Sequence, residues 1–490
     1  MELRKSLQNA KRKAQVGNTY EADSIKGCKD SGCCCSSVEV PVMGMERRTA
    51  DIQFQLFNQL EQLRMSDLFE TQSKPIPITK DMVREAYRKV RSNKGSAGVD
   101  EQDLIEFNEN LSKNLYTIWV RMASGSYFPM PVKEVIIPKA NGGERKLGIP
   151  TVNDRIAQEV IKSYLEPRFE GMFLPNSYGY RPNKSAHQAL AHVRESVRKY
   201  AWVIDMDIKS FFDEVNHEML MKAIGKHVPE KWVKMYILRW LEAPVQTKQG
   251  LVYKNGRGTP QGGVISPLLA NLFLHYVLDK WIEKECPTVT FVRYADDVVV
   301  HCVSEAQSQY LLTAIRARLE ACNLRLSEEK TKITYCQDYR RTKRNDFPKR
   351  FEFLGFSFKP MSKKSNRVGL FLGFDCEMSM KSSKRIIDKW ELMDFHRQTS
   401  QTIQDIAITL NPQSTGIINY YSKYNSWKVG KLFRHLDYRL AKWAKNKYKS
   451  MIRSYNKAIK WLESIKSSYP NMFCHWQLFS SDQISISRAV

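Results

Sequence analysis

The segment Thr290-Phe-Val-Arg-Tyr-Ala-Asp-Asp-Val-Val-Val-His-Cys302 sets two adjacent acids, Asp296 and Asp297, between two β-prone apolar runs. This pattern predicts a β-hairpin with its carboxylates at the turn. Neighbouring carboxylates in an apolar setting repel one another and are costly to desolvate, so a divalent cation is their expected neutraliser. Upstream, Trp202-Val-Ile-Asp-Met-Asp-Ile208 reads as a second acidic strand. Its period of two puts Asp205 and Asp207 on one face. Together the two segments predict a two-metal phosphoryl-transfer site, with Mg²⁺ ions set against the attacking and leaving oxygens.

The whole chain points to a polyanionic partner. It has 490 residues, a net charge of +25 and 42% hydrophobic residues. Its isoelectric point is near 9.5. That length suits two to four structural units. A basic surplus of this size favours nucleic acid, because neutralising phosphates releases counterions. No apolar stretch reaches the roughly 18 residues that span a bilayer, and no leader peptide or membrane partner is expected. The ten cysteines show no disulfide framework. Cys286, Cys302, Cys322, Cys336 and Cys376 stand singly in periodic segments and read as small core residues in a reducing compartment. Cys28, Cys33, Cys34 and Cys35 cluster, but nothing at zinc-finger spacing follows them. A polar extension is the expectation there.

Along the chain, Ile52, Leu56, Leu60 and Leu63 recur at helical spacing before a break at Ser73-Lys-Pro-Ile-Pro77. From about residue 78 the pattern mixes helix and strand. Thr79 is placed to cap a helix running through Val90, residues 131–138 read as a strand, and an amphipathic helix is expected from Asn153 to Phe169. Strands at 202–208, 251–254, 289–294 and 297–303 alternate with helices at 216–225, 230–242, 265–284 and 305–322. The predicted class is α+β, a palm built on an antiparallel sheet. After about residue 380 the pattern is almost wholly helical. Residues 381–460 hold 17 Lys and Arg against 5 Asp and Glu, a surplus of +12. Tyr420, Tyr421, Tyr424, Trp427, Phe433, Tyr438, Trp443 and Tyr448 interleave with these cations. Taken singly each aromatic reads as core, yet a basic helical face with aromatics can track a nucleic-acid backbone and stack on bases.

A series of blocks in order resembles the reverse transcriptases encoded by group II introns, also called intron maturases. They are Asn93–Asp100, Ile137–Arg155, Ser177–Leu190, Asp205-Met-Asp-Ile-Lys-Ser-Phe-Phe-Asp213, Gly258-Thr-Pro-Gln-Gly-Gly-Val-Ile-Ser-Pro-Leu269, Phe291–Val300, Ser327–Lys332 and Phe351–Phe356. Gly416-Ile-Ile-Asn-Tyr-Tyr421 is similar to the signature of the family's maturase segment, called X. The resemblance covers about residues 80 to 480. It implies a right-hand polymerase, with fingers and palm followed by an all-helical thumb/X domain. The expected layout is an N-terminal extension over 1–75, fingers and palm over 76–365, thumb and X over 366–450, and a basic tail with candidate DNA-binding character over 451–490.

The resemblance also implies roles at matched positions. Asp207, Asp296 and Asp297 would be catalytic and would hold two Mg²⁺ ions, with Ile208 as a further metal contact. Asp205 is balanced between a metal role and a structural one. Lys139, Arg145, Phe212 and Gln261 would contact the incoming deoxynucleoside triphosphate, Phe212 lying under the sugar and clashing with a ribose 2′-hydroxyl. Tyr294, Lys330, Leu354 and Gly355 would lie along primer and template. The implied activity is RNA-directed DNA polymerisation, with binding of group II intron RNA that assists splicing and mobility. Partners would be that intron RNA, an RNA template, a DNA primer and target DNA, in a bacterial cytoplasm or an organelle.

The chain departs from many such proteins in one respect. After Gly416 it offers only His435, Cys474 and His475 toward a His-Asn-His endonuclease, so no endonuclease domain is expected. Two rival readings remain: an RNA-binding splicing cofactor without polymerase activity, and a related enzyme recruited to phage defence. The intact carboxylates oppose the first, and the X-like segment opposes the second.

Overall fold

Four antiparallel strands, in the order β6-β7-β3-β8, form the sheet that carries the acids. The computed structural model describes residues 76–138, 143–253, 255–365 and 369–479. The N-terminal extension with its cysteines, Lys139 and the last residues therefore lie outside the described residues. In the sheet, β3 (Trp202–Asp207) lies between β7 (Asp297–Cys302) and β8 (Lys332–Tyr335), and β6 (Thr290–Tyr294) pairs with β7. The register pairs Asp207 with Asp297, Asp205 with Val299 and Tyr294 with Asp297. Strand alternation therefore puts Asp205, Asp207, Asp297 and Tyr294 on one face. Ala295 and Asp296 make the tight turn between β6 and β7, Ala295 holding φ 57°. Val203, Val292 and Val299 on that same face are fully buried and continue into the main core. The acids thus sit where the apolar part of one sheet face ends.

A second sheet, in the order β2-β1-β4-β5, joins β1 (Val132–Pro138), β2 (Glu144–Ile149), β4 (Val245–Thr247) and β5 (Gly250–Val252). β1 and β2 form an antiparallel ladder from Lys133–Ile149 to Pro138–Glu144, and Ile136 and Ile137 are solvent-exposed near its tip. The helix Val152–Glu170 follows, capped by Thr151, whose Oγ1 accepts from Asp154 N at 3.1 Å. The helix expected over Asn153 to Phe169 is present, but its polar residues are largely inside. Asp154, Arg155, Gln158 and Glu159 are all buried. They are inside because each holds a neighbouring segment. Asp154, for example, accepts from Tyr127 Oη at 2.7 Å and Thr151 Oγ1 at 2.8 Å. Burial pushes its carboxyl up to about 6. The helix expected over 265–284 is present as one continuous helical run that widens into a π-turn: Ser266–Leu274 passes through His275–Asp279 into Lys280–Glu285.

A third sheet, in the order β11-β10-β9, was not anticipated. β9 (Phe351–Phe353), β10 (Phe356–Ser365) and β11 (Gly369–Met378) are linked by a ladder of ten pairs between β10 and β11. A domain boundary at 365/366 would cut that hairpin at its tip, so strand pairing moves the division beyond Met378. From there the described chain is helical, through Met380–Leu392, Ile403–Tyr421, Trp427–Lys447, Tyr455–Ser468 and Cys474–Phe479. Within the described residues, packing crosses the expected division at 450/451. Ala458, Leu462, Phe473 and Trp476 enter the same core as Leu436 and Leu440. Buried Asp437 accepts from Trp476 Nε1 at 2.9 Å and pairs with His475 Nε2 at 2.9 Å. Of the interleaved aromatics, Tyr421, Tyr424, Phe433 and Trp443 are core, while Trp427 and Tyr438 are exposed. No described helix is long and apolar enough to cross a membrane.

Candidate active site

The acidic face gathers the residues that the sequence singled out. Asp207 closes β3 directly across from Asp297, and Asp296 stands in the adjoining turn. Desolvation, followed by the Asp296 and Asp207 charges, pushes Asp297 up to about 7. Asp205 rises to about 7 by burial and by the Asp297, Asp207 and Glu352 charges. Asp296 is raised by burial, with Asp207 opposing its ionisation and Arg145 favouring it. Asp205, Asp296 and Asp297, all raised, together with Asp207 beside them make a hard-oxygen donor set suited to a divalent cation. Among the described residues no three His, Cys, Asp or Glu are already drawn into a metal-binding group. Instead Lys330 Nζ lies 2.7 Å from Asp207 Oδ2 and supplies positive charge. Ile208 follows Asp207, is buried and bridges to Leu326.

The turn that carries Asp296 is anchored from below by residues that the motifs did not reveal. Arg293, fully buried in β6, donates Nε to Asp279 Oδ1 at 2.8 Å and Nη2 to Asp279 Oδ2 at 2.6 Å. Its Nη1 reaches Asn271 Oδ1 at 2.9 Å and the Ala295 carbonyl at 3.2 Å. Asn271 Nδ2 donates onward to the Gly179 carbonyl at 2.7 Å. The π-turn contributes Asp279, in keeping with the frequent use of such turns at functional sites. A sequence signal was available. Arg293 sits in an apolar β-strand, and a buried charge there requires a partner of opposite sign.

The β1–β2 hairpin and the glycine loop Gly258–Gly263 meet beside the acids. Arg145 Nε donates to Gln261 Oε1 at 3.0 Å. Gly148 N donates to the Gln261 carbonyl at 2.6 Å. A Cβ on Gly262, at φ 119°, would overlap the Gly148 carbonyl oxygen. Only glycine permits both that backbone shape and that approach. Gln158 Oε1, from the buried helix, accepts from Val264 N at 2.8 Å and fixes the loop's far end. Thr259 N donates to the Phe212 carbonyl at 2.7 Å, so Phe212 and Gln261 belong to one neighbourhood. The Phe212 ring is half-buried, edge-on to Phe211.

Leu354 and Gly355 form the turn between β9 and β10, both left-handed at φ 48° and 78°. Tyr294 is half-buried, 6.4 Å from Tyr180 ring to ring. Lys330 Nζ is engaged with Asp207 Oδ2 at the acidic face.

Comparison with known proteins agrees with this geometry. Residues 137–358 match the model of the reverse transcriptase (RNA-dependent DNA polymerase) family. Residues 383–461 match the group II intron maturase-specific domain. The chain is similar to protein YkfC of Escherichia coli K12, 32% identical over 53% of this chain and 78% of that protein. It is similar to the group II intron-encoded protein LtrA of Lactococcus lactis, 34% identical over 41% of this chain and 33% of that one. A COX1/OXI3 intron 1 protein of Saccharomyces cerevisiae is 26% identical over 52% of this chain and 36% of that protein. The chain therefore spans about a third of the length of these two intron proteins and most of YkfC. It carries a reverse transcriptase polymerase fold, a type that works with a divalent metal and on nucleic acid. This chain belongs to the family of group II intron-encoded reverse transcriptases and maturases.

Proposed function

We propose that the protein copies RNA into DNA at the acidic face of the β6-β7-β3-β8 sheet, and that it binds intron RNA to assist splicing and mobility. The observation that carries the reading is the pairing of Asp207 with Asp297 across two strands, with Asp296 in the adjoining turn. Asp207, Asp296, Asp297 and the backbone at Ile208 would hold two Mg²⁺ ions. When bound, these ions would make the primer 3′-hydroxyl a better nucleophile and neutralise the triphosphate. The chain's own residues do the rest. Arg145, in β2, brings a cation to the triphosphate, and the resemblance gives Lys139 the same role. Gln261 and its glycine loop line the nucleotide, and the Phe212 ring excludes a ribose 2′-hydroxyl. The Leu354–Gly355 turn seats the primer end. Lys330, bound to Asp207, restrains the carboxylate until cations arrive.

The helical segment after Met378 serves as thumb and X domain and as the RNA-holding surface. Trp427 is 46% exposed and Tyr438 50% exposed on the helix Trp427–Lys447. Lys431 Nζ sits 4.4 Å over the Trp427 ring, and Lys442 is exposed further along. Helical spacing puts Trp427, Lys431, Tyr438 and Lys442 on one face, alternating stacking rings with phosphate-seeking cations. We place the protein with its RNA in a reducing compartment, the bacterial cytoplasm or an organelle.

Purified protein given an RNA template, a DNA primer, deoxynucleotides and Mg²⁺ should extend the primer. Asp296→Ala should remove extension while intron RNA binding and assisted splicing persist, because splicing chemistry stays with the RNA. A folded, RNA-bound Asp296→Ala protein that lost splicing too would contradict this separation.

A further inference from the structure

The tyrosines of Gly416-Ile-Ile-Asn-Tyr-Tyr421 lie at the end of the helix Ile403–Tyr421, inside the segment matched to the maturase-specific domain. Tyr420 points away from that helix into the polymerase. Its hydroxyl donates to the Leu354 carbonyl at 2.9 Å. The next carbonyl of the turn, Gly355, accepts from Ser379 N at 3.0 Å and Ser382 Oγ at 3.1 Å. Both carbonyls of a two-residue left-handed turn are thus held by groups that follow β11. A Cβ on Gly355 would come 2.8 Å from the Tyr421 hydroxyl, so the second tyrosine closes the space behind the turn.

The turn needs such holding. Leucine in left-handed backbone is strained by contact of its Cβ with the following carbonyl. Such residues persist where the surroundings over-determine them, and they cluster at functional sites. Packing alone would not require a hydroxyl at residue 420. The ring is already fixed by His187, stacked at 5.2 Å and 25°, and by Phe356 at 5.6 Å. His187 Nε2 also lies 2.8 Å from the Tyr420 carbonyl, which ties the fingers helix Ala186–Lys199 to the same point. Burial keeps the Tyr420 hydroxyl protonated, up to about 12, with Tyr294 of the acidic hairpin among the groups acting on it. One side chain therefore joins the helix Ile403–Tyr421, the helix Ala186–Lys199 and the turn.

We propose that Tyr420 is a positioning residue for DNA synthesis: its hydroxyl fixes the Leu354–Gly355 turn that seats the primer end, so the maturase segment is a working part of the polymerase site. The proposal rests on the reading of that turn as primer-binding. The turn's carbonyl directions set where the Leu354 side chain meets the primer, and Tyr420 sets one of those directions. Loss of the hydroxyl would free the turn without removing the ring or opening the core.

The test uses the full-length protein with an RNA template and a DNA primer, measuring KM for primer–template and kcat for Tyr420→Phe and Leu354→Asn. Asparagine tolerates left-handed backbone and changes only the side chain at the turn. Tyr420→Phe should raise the primer–template KM about 3- to 10-fold, the range of one net hydrogen bond, with a smaller effect on kcat. The melting temperature and the affinity for structured intron RNA should stay at the wild-type values. An unchanged KM for Tyr420→Phe, with a raised KM for Leu354→Asn, would overturn the positioning role and leave the primer reading standing. An unchanged KM for both would remove the primer reading, and the proposal with it. Equal losses of KM, stability and RNA affinity in Tyr420→Phe would mark the residue as structural and also overturn the proposal.

Discussion

Lys330 Nζ sits 2.7 Å from Asp207 Oδ2, on the carboxylate that faces Asp297 across the sheet. The lysine is largely exposed, so this ion pair is screened and weak. Its importance is competitive, because it holds a carboxylate that a cation would use. Lys330→Gln should lower the Mg²⁺ concentration for half-maximal primer extension by about 2- to 5-fold, the scale of an exposed pair. A Mg²⁺ titration of extension measures this directly. A higher requirement would mean that Lys330 aids cation binding instead of competing with it.

The raised acids make metal-free stability depend on pH. Asp205 and Asp297 stand near 7 in the fold against an ordinary value of 3.8. The folded state therefore binds more protons than the unfolded chain between about pH 4 and pH 7, and stability falls as pH rises through that window. A bound divalent cation offsets the repulsion. The rise in melting temperature on adding Mg²⁺ should be small at pH 5 and several degrees at pH 8. Asp297→Asn should raise the metal-free melting temperature at pH 8 and shrink the Mg²⁺ effect. A Mg²⁺ effect independent of pH would separate the cation from these acids.

Arg293 allows stability and positioning to be separated. Arg293→Met leaves Asp279 buried without its cation, at a cost of about 3–5 kcal/mol. Arg293→Met combined with Asp279→Leu removes both charges and should recover most of that loss in chemical denaturation. It should not recover polymerase activity, because the tether to the Ala295 carbonyl is gone. A double variant that regained both would make the pair purely structural.

Phe212 bears on sugar choice. Phe212→Ala should improve use of ribonucleotides relative to deoxynucleotides by at least about tenfold in kcat/KM, since the excluded volume disappears. Competition between labelled rCTP and dCTP on one template measures it. An unchanged ratio would place the ring elsewhere than under the sugar.

The acidic hairpin, the β3 acids and the antiparallel sheet were legible because strand period and charge placement act locally. Four features were not. The long β10–β11 hairpin was missed because the stretch from Lys359 to Lys364 is rich in lysine and looks like a loop. Its inner residues are neutralised across the ladder, as Lys359 is by Glu377 at 2.8 Å. The buried polar row on Val152–Glu170 was not legible because its partners, such as Val264 and Tyr127, are remote in sequence. The same distance hid Tyr420 on Leu354, 66 residues apart. In the X-like segment the aromatics could be counted but not sorted. Only packing distinguished exposed Trp427 and Tyr438 from buried Phe433 and Trp443.

The most direct test of the central claim is single-nucleotide extension of a DNA primer on an RNA template by Asp296→Asn, in saturating Mg²⁺. Asparagine keeps the shape of the turn and removes one negative charge. The account predicts a rate reduced by at least about a thousandfold, with the fold and primer–template affinity retained. Extension at the wild-type rate by that folded protein would contradict a polymerase centre at Asp207, Asp296 and Asp297.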